Sequence, residues 1–217
     1  MQTIDHRILA EFLETRFDRS VPDIFRKAFI FGAIEPDLNF FTYFHGWKRG
    51  TKMHGHNYEN ILPVMKSMFM SFENKTSMGI WDYYRLGKLT HYVADSFTYP
   101  HNGNFTGNLS DHCDYETELH GSFNRMMFES SGEELLKLEY NTGEDMAAMA
   151  AGKEHMEVWG SIKDFSDIKK MHDLYMQENG TVECDMKYIP AAVSGVFACV
   201  YDHAFNKLPI KEQEFAG

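Results

Sequence analysis

The sequence has little that would cross-link the chain or anchor it in a membrane. It contains three cysteines in 217 residues, an odd number without a Cys-x-x-Cys pair, so a disulfide framework is not expected. No apolar run approaches the ~20 residues needed to cross a bilayer. Asp5, Arg7 and Glu11 interrupt the start of the chain, where a secretion signal would need apolar residues. These absences predict a soluble, cytoplasmic protein.

Positive charge is also scarce. Lys and Arg total 21 against 32 Asp and Glu, and the formal net charge is -11. Because sequence-independent nucleic-acid binding depends on Lys and Arg that neutralise phosphates, we expect no stable nucleic-acid complex. Bound divalent cations would offset part of the negative charge. The eleven histidines are many for this length, and eight of them precede residue 121: His6, His45, His54, His56, His91, His101, His112 and His120.

Helical periodicity runs along most of the chain, and long strand-like alternation is absent. Apolar residues at helical spacing predict helices near 8–13, 61–72, 80–97, 110–128 and 164–177. Ser110 or Asp111 would cap the fourth of these, and a last helix would open at Pro190. Loops are expected at 35–52 and 99–108, with a weakly patterned stretch at 130–160. No linker or repeat divides the chain, so we expect an all-α fold with a single helical domain over residues 1–217.

Two short spacings carry the chemistry. His91 and Asp95 are four residues apart on one predicted helix, so both side chains project from the same face about one turn apart. His112 and Glu116 repeat this spacing on the next helix, and His101 lies in the loop between the two pairs. Gly87 lies one turn before His91, where the lack of a side chain would let another backbone or a ligand approach closely.

A single His-carboxylate pair at this spacing is more often ordinary helix decoration than a metal site. Two such pairs with a histidine between them favour metal. Imidazole with carboxylate suits zinc, and a catalytic zinc typically has about three protein ligands and an open position for water.

The same residues carry a resemblance to a known family. The series His91, Asp95, His101, His112, Glu116, with Tyr after the first histidine, resembles the signature of the bacterial zinc-dependent phospholipases C, and more distantly of the single-strand-specific zinc nucleases. The run 101–106, His-Asn-Gly-Asn-Phe-Thr, is similar to the family's His-Ala-x-Asn-Phe-Thr. Two positions depart from the pattern. Ala94 replaces the usual Gly or Thr, and Pro100 directly precedes the histidine instead of lying two residues before it. The resemblance covers residues 1 to about 125.

The resemblance implies a helical domain with two or three zinc ions in a cleft. His91 and Asp95 would share one ion with an upstream histidine. His56 in the run His-Gly-His-Asn-Tyr-Glu at 54–59 is the best match for that ligand, and His54 is the rival. The remaining residues of the signature, His101, His112 and Glu116, would hold a second ion.

A third ion is implied at the start of the chain. Asp95 would bridge toward an ion bound by His6 and by the amine and carbonyl of Met1, an interval that matches the related nucleases. The alternative is that His6 lies on the inner face of the first helix and Met1 is frayed. Asp37, in the run Ala-Ile-Glu-Pro-Asp at 33–37, matches the family aspartate that lies beside the metals and is thought to orient or deprotonate the attacking water.

These expectations together describe a zinc-dependent hydrolase of phosphoesters, a phospholipase C-like phosphodiesterase whose substrate could be a phospholipid. A non-catalytic metal-binding protein that retains the fold, or a nuclease-like phosphodiesterase, would be the alternatives. The basic cluster Lys48, Arg49 and Lys52 could assist a phosphate, although a solvated loop is favoured. The aromatic residues at 40–47 could line a pocket or pack beneath a loop. The other histidines are expected to be surface or packed residues, and the oligomeric state is open.

Overall fold

The computed structural model describes residues 1–39, 41, 56–73, 75–129 and 162–206. Strands are absent from these residues, which confirms the all-α prediction. One 3-10 turn, Tyr99–His101, joins the fourth and fifth α-helices. The helices are α1 Thr3–Glu14, α2 Asp23–Leu38, α3 Tyr58–Met70, α4 Ile80–Ser96, α5 Leu109–Glu129, α6 Phe165–Tyr175 and α7 Val182–Asn206.

Helix α4 lies at the centre of the fold. It packs against α1, α2, α3 and α7, and every residue from Leu89 to Ser96 is buried. A helix that is buried all round belongs to the interior of a protein. The polar residues in this stretch, His91 and Asp95, are therefore carried into the core. None of the described helices combines the length and apolarity needed to cross a membrane.

Two glycines allow α2 and α4 to touch backbone to backbone. A methyl group added at Gly87 would lie 2.0 Å from the carbonyl oxygen of Phe29, and one added at Gly32 would lie 2.0 Å from that of Tyr84. The close approach predicted for Gly87 is thus confirmed, with α2 as the partner. It brings the last turns of α2 beside the face of α4 that carries His91.

Two helices differ from the sequence prediction: α2, Asp23–Leu38, was not predicted as a helix at all, and α7 starts earlier than predicted. Residues 35–38 were expected to be loop, but α2 continues to Leu38 through Pro36. Pro36 costs a helical hydrogen bond, but it is buried, as are Phe29, Gly32 and Ala33 of the same helix, and burial of apolar surface acts in the opposite direction. Likewise, α7 begins at Val182 and not at Pro190, which lies inside the helix. The hydroxyl of Thr181 accepts a hydrogen bond from Cys184 N at 3.2 Å, so Thr181 supplies the start signal.

Helix caps account for the other ends. Asn108 caps α5 in place of Ser110 or Asp111, because its Oδ1 accepts from the backbone N–H groups of both, at 2.7 and 3.3 Å. Asp164 caps α6, and the observed Phe165–Tyr175 agrees with the predicted helix near 164–177. The predictions for 130–160, for the 40–47 aromatics apart from Phe41, for Lys48, Arg49 and Lys52, and for His45 and His54 lie outside the described residues.

Candidate metal centre

The side chains predicted as ligands come together beside the last turns of α4. Each reaches this point because a helix end or a short turn directs it there. The contributions are His91 and Asp95 from α4, Asp37 from the last turn of α2, His56 from just before α3, His101 from the 3-10 turn, His112 and Glu116 from α5, and Met1 and His6 from the start of the chain and α1.

Asp95 lies in the middle of the centre and is almost completely buried. Its Oδ1 lies 3.1 Å from His6 Nε2 and 3.4 Å from the amine of Met1. Its Oδ2 lies 3.0 Å from His56 Nδ1 and 3.2 Å from His91 Nε2. The two oxygens of one carboxylate therefore face different sets of nitrogen atoms.

Glu116 organises the neighbouring part of the centre. Its Oε1 lies 3.2 Å from Nε2 of both His101 and His112, and 3.0 Å from the amine of Met1. Met1 is therefore buried between two carboxylates and is not frayed. The i,i+4 spacings read from the sequence do place each carboxylate against the histidine on its own helix.

The distances fit zinc. Three groups each place their ligand atoms within 4.8 Å of one another: His6, Asp37, His91 and Asp95; His56, Asp95 and His101; and His101, His112 and Glu116. Ligands about 2.0–2.1 Å from a tetrahedral zinc lie roughly 3.3 Å apart. The nitrogen–oxygen distances around Asp95 and Glu116 are close to this value, so an ion could be held without large rearrangement.

Two buried atoms of the candidate ligands lack a hydrogen-bond partner among the described residues. His91 Nδ1 donates to the carbonyl of Ala33 at 2.8 Å, which places the proton on Nδ1 and leaves the lone pair of neutral imidazole on Nε2. Within the described part of the chain, that Nε2 is buried and makes no hydrogen bond, although Asp95 Oδ2 lies 3.2 Å away; Asp37 Oδ2 is buried without a hydrogen bond as well. Metal-ligating histidines commonly donate their other N–H to a backbone carbonyl in this way. The donor set therefore fits a cation.

The two carboxylates of the centre, Asp95 and Glu116, are stabilised in their ionised form. Burial alone would raise the pKa of Asp95, but His101, the Met1 amine and His91 outweigh it and hold this pKa well below its usual value. The pKa of Glu116 is lowered as well, because hydrogen bonds from His101 and His112 exceed the effect of burial. Both carboxylates stay ionised at any ordinary pH, so two negative charges persist in the buried centre and attract positive groups.

The nitrogen atoms respond to this charge in different ways. Burial would lower the pKa of the Met1 amine, but Asp95 and Glu116 raise it to about 10. His91 behaves alike, because Asp95 outweighs burial and raises its pKa. Burial prevails at His6 and His101 and lowers their pKa values. Protons thus compete with metal at the amine and at His91, whereas burial favours the neutral imidazole of His6 and His101, which is the form that binds metal.

His101 links two of the three groups. Its Nε2 faces Glu116 at 3.2 Å, while its Nδ1 faces Asp95 Oδ2 at 3.7 Å. Neutral imidazole has one lone pair, so His101 can serve only one ion at a time. The shorter contact favours the group with His112 and Glu116. His56 is then left for an ion on the Oδ2 side of Asp95, where its Nδ1 also lies 3.6 Å from Asp37 Oδ1.

The structure adds supporting residues that the sequence did not single out. Asn102, next to His101, donates from Nδ2 to the carbonyls of Ser96 and Thr98. Its Oδ1 accepts from His172 Nε2 at 2.8 Å, and the ring of His172 stacks on Tyr58 with centroids 3.4 Å apart. His172 was expected to be an ordinary surface or packed residue; it is buried, and it braces the turn that carries His101.

A second support lies beneath the start of α1. The carboxylate of Asp5 is completely buried, accepts from Gln2 N at 3.2 Å, and meets His120 Nδ1 at 2.5 Å. His120 also contacts Asn124 through Nε2 at 2.8 Å. These contacts hold the first turn of the chain in place, next to the buried Met1. No sequence spacing signals them, because Asp5 and His120 are 115 residues apart.

Histidines and carboxylates thus form one buried, acidic centre within an all-α fold, the type of site found in metal-dependent hydrolases. The sequence model of one family, the zinc-dependent phospholipases C, matches residues 4–177. The chain therefore belongs to the zinc-dependent phospholipase C family. The match includes every candidate ligand except Met1 and ends before α7. No curated protein and no solved structure matches the chain significantly. Family membership and the clustered histidines and carboxylates together support a zinc hydrolase.

Proposed function

We propose that this protein is a phospholipase C-like phosphodiesterase that uses two or three zinc ions to activate water, with a phospholipid as the first substrate to test. The observation that carries the proposal is the meeting of separate chain segments in one buried centre whose carboxylates are held ionised. The family match supports the choice of zinc and of a phosphoester substrate. We further propose that residues 1–217 act as one domain.

The proposed division of ligands follows the contacts to Asp95 and Glu116. His101, His112 and Glu116 would hold one ion. His56 and His91 would hold a second, together with Asp95. The amine of Met1 and His6 would hold a third, also with Asp95. This division agrees with the one that the family resemblance implies.

Bound zinc would polarise a phosphoryl oxygen and lower the pKa of water to near 7. Asp95 and Glu116 offset part of the cation charge and fix the ligand geometry. Asp37 has the position of a general base or orienting group: its Oδ1 faces His56 and His91 at 3.6 Å, and its Oδ2 is buried without a hydrogen-bond partner in the residues that the structure describes. A carboxylate oxygen in such a position can take a proton from water that lies within hydrogen-bond reach.

The test begins with metal analysis of protein purified without added metal, followed by a panel of chromogenic phosphomonoesters and phosphodiesters with and without chelator. We expect at least two equivalents of zinc and chelator-sensitive hydrolysis of a diester. The paired change of His112 and Glu116 to Ala should remove about one equivalent and destabilise the protein, because metal binding is linked to folding. Unchanged zinc content in that variant would refute the ligand assignment.

Asp37→Asn separates a role in chemistry from a role in metal binding, because it keeps the shape of the side chain and removes its basicity. We expect turnover to fall by roughly 10² to 10⁴, the range for loss of a general base, with nearly full zinc content. Loss of zinc would make Asp37 a ligand. Full zinc content without turnover of any ester by the unaltered protein would favour a non-catalytic metal-binding protein. The cytoplasmic location and the lack of a stable nucleic-acid complex stay predictions.

A further inference from the structure

Asp185 is a buried carboxylate that has no place in the ligand set and lies beyond the residues matched by the family. It is in the first turns of α7, and its exposed fraction is 0%. Its Oδ2 accepts from the backbone N–H of Tyr99 and from the hydroxyl of Tyr115, both at 2.9 Å. Its Oδ1 accepts from the hydroxyl of Tyr175 at 2.6 Å. Three elements besides α7 therefore meet at this side chain.

Removing an ionised carboxylate from water costs free energy. Burial raises the pKa of Asp185 to about 6, although its three hydrogen-bond donors act in the opposite direction. A buried carboxylate keeps its charge only if well-placed hydrogen-bond donors replace the water that it has lost. The donors, in turn, are held where the carboxylate requires them, so the arrangement fixes the elements that carry Tyr99, Tyr115 and Tyr175 relative to one another.

Two of these donors lie next to candidate ligands. Tyr99 begins the 3-10 turn that ends at His101, and Tyr115 immediately precedes Glu116 in α5. His101 and Glu116 are themselves partners, with Nε2 and Oε1 3.2 Å apart. One oxygen atom, Asp185 Oδ2, thus joins the turn that supplies one ligand to the helix that supplies the other. The third donor, Tyr175, lies on α6, which supplies none of the candidate ligands.

We propose that Asp185 is a positioning residue of the metal centre: it sets the distance between His101 and Glu116 by binding the backbone of Tyr99 and the hydroxyl of Tyr115 with the same oxygen. The inference rests on the proposed zinc ligands. Residues that orient ligands without touching the metal typically contribute 10–100-fold to metal affinity. Asp185 does not bind a candidate ligand directly. It acts on His101 and Glu116 through the backbone of the 3-10 turn and through the first turns of α5.

The chain offers a matched pair of variants. Tyr115→Phe and Tyr175→Phe each remove one hydroxyl that donates to the same carboxylate, and each leaves an aromatic ring of the same shape. Both should lower the unfolding temperature of the zinc-free protein. Only Tyr115→Phe removes the bond next to Glu116. We expect it to weaken the binding of one zinc equivalent by roughly 10-fold or more, and Tyr175→Phe to leave zinc affinity unchanged.

The measurement is zinc affinity by competition with a chromogenic chelator, on the full chain, beside thermal unfolding of the zinc-free protein. Asp185→Asn provides a further check that does not depend on a tyrosine. Its amide oxygen can accept from Tyr99 and Tyr115 while its NH₂ donates to the hydroxyl of Tyr175, so near-normal zinc binding is expected. Asp185→Ala has no acceptor, and one zinc equivalent should be weakened.

Equal zinc affinities in Tyr115→Phe, Tyr175→Phe and the unaltered protein would overturn the positioning role while leaving the zinc ligands intact. Equal weakening in both tyrosine variants would also overturn it, because a general loss of stability would then explain the effect. Lack of zinc binding by the unaltered protein would overturn both this inference and the proposed function.

Discussion

Gly87→Ala tests the contact that places α2 against α4. The added methyl would lie 2.0 Å from the carbonyl oxygen of Phe29 and 2.9 Å from Ala33 N, whereas ordinary contact begins at 3.4 Å. The two helices would have to separate by about 1.4 Å, since backbone atoms cannot turn aside as side chains do. A shift of that size would break the 2.8 Å hydrogen bond from His91 Nδ1 to the carbonyl of Ala33.

The expected loss of stability follows from two opposing terms. Overpacking typically costs 1–3 kcal/mol, and a clash with backbone belongs at the upper end, about 3 kcal/mol. Alanine in place of glycine within a helix contributes about 1 kcal/mol in the other direction. The net loss is therefore about 2 kcal/mol or more. For a chain of this length that corresponds to a fall in unfolding temperature of about 4–8 °C.

Gly121→Ala is the control for this prediction. Gly121 lies within α5 and is exposed, and a methyl group there would meet no atom of the described residues within 4 Å. The same substitution should then raise the unfolding temperature by about 2–4 °C, from the helix-propensity term alone. Calorimetry of the zinc-free proteins measures both. If Gly87→Ala unfolds at or above the temperature of the unaltered protein, the close crossing of α2 and α4 is wrong.

Two further predictions concern the Met1 amine and the supporting residue His172. A Gly-Ser extension before Met1 should remove one zinc equivalent and leave the others, because the amine that faces Asp95 and Glu116 would be replaced by an amide; unchanged zinc content and activity would discard the amine as a ligand. Burial lowers the pKa of His172 to about 4, so the folded protein favours the neutral imidazole. The resulting stability, about 3 kcal/mol, is fully present above the unfolded pKa of about 6.5 and is lost as the pH falls toward 4. Denaturant unfolding of zinc-free His172→Gln across this range should show a correspondingly smaller acid loss than the unaltered protein, and parallel curves would contradict the assignment.

Short spacings were sufficient to predict the fold class and the pairs within one helix. His91 with Asp95, and His112 with Glu116, follow from helical geometry, because residues four apart share a face. The prediction that Gly87 allows close backbone contact had the same basis. Longer-range placement, such as Met1 against Asp95, came from the resemblance to a family, and the distances are compatible with it. The chemical roles of these residues stay predictions.

The sequence could not reveal the supports of the site, because they join residues far apart in the chain. Asp185 and Tyr99 are 86 residues apart, and Asn102 and His172 are 70 apart. No local pattern marks such pairs, since their geometry depends on how the helices pack. The errors at helix ends have a related cause. Pro36 and Pro190 suggested boundaries by local preference, but buried neighbours keep α2 and α7 helical through both prolines.

The two-sided use of Asp95 means that the proposed ions cannot bind independently. Its Oδ1 serves Met1 and His6, while its Oδ2 serves His56 and His91. An ion that binds one oxygen of Asp95 changes the charge and the orientation of the other oxygen. By thermodynamic linkage, filling one side must alter affinity on the other side by the same factor in either direction. A zinc titration would then report one coupled cluster and not separate sites. Substitution of His6 would also change the zinc affinity at His56, although the two side chains are proposed to bind different ions.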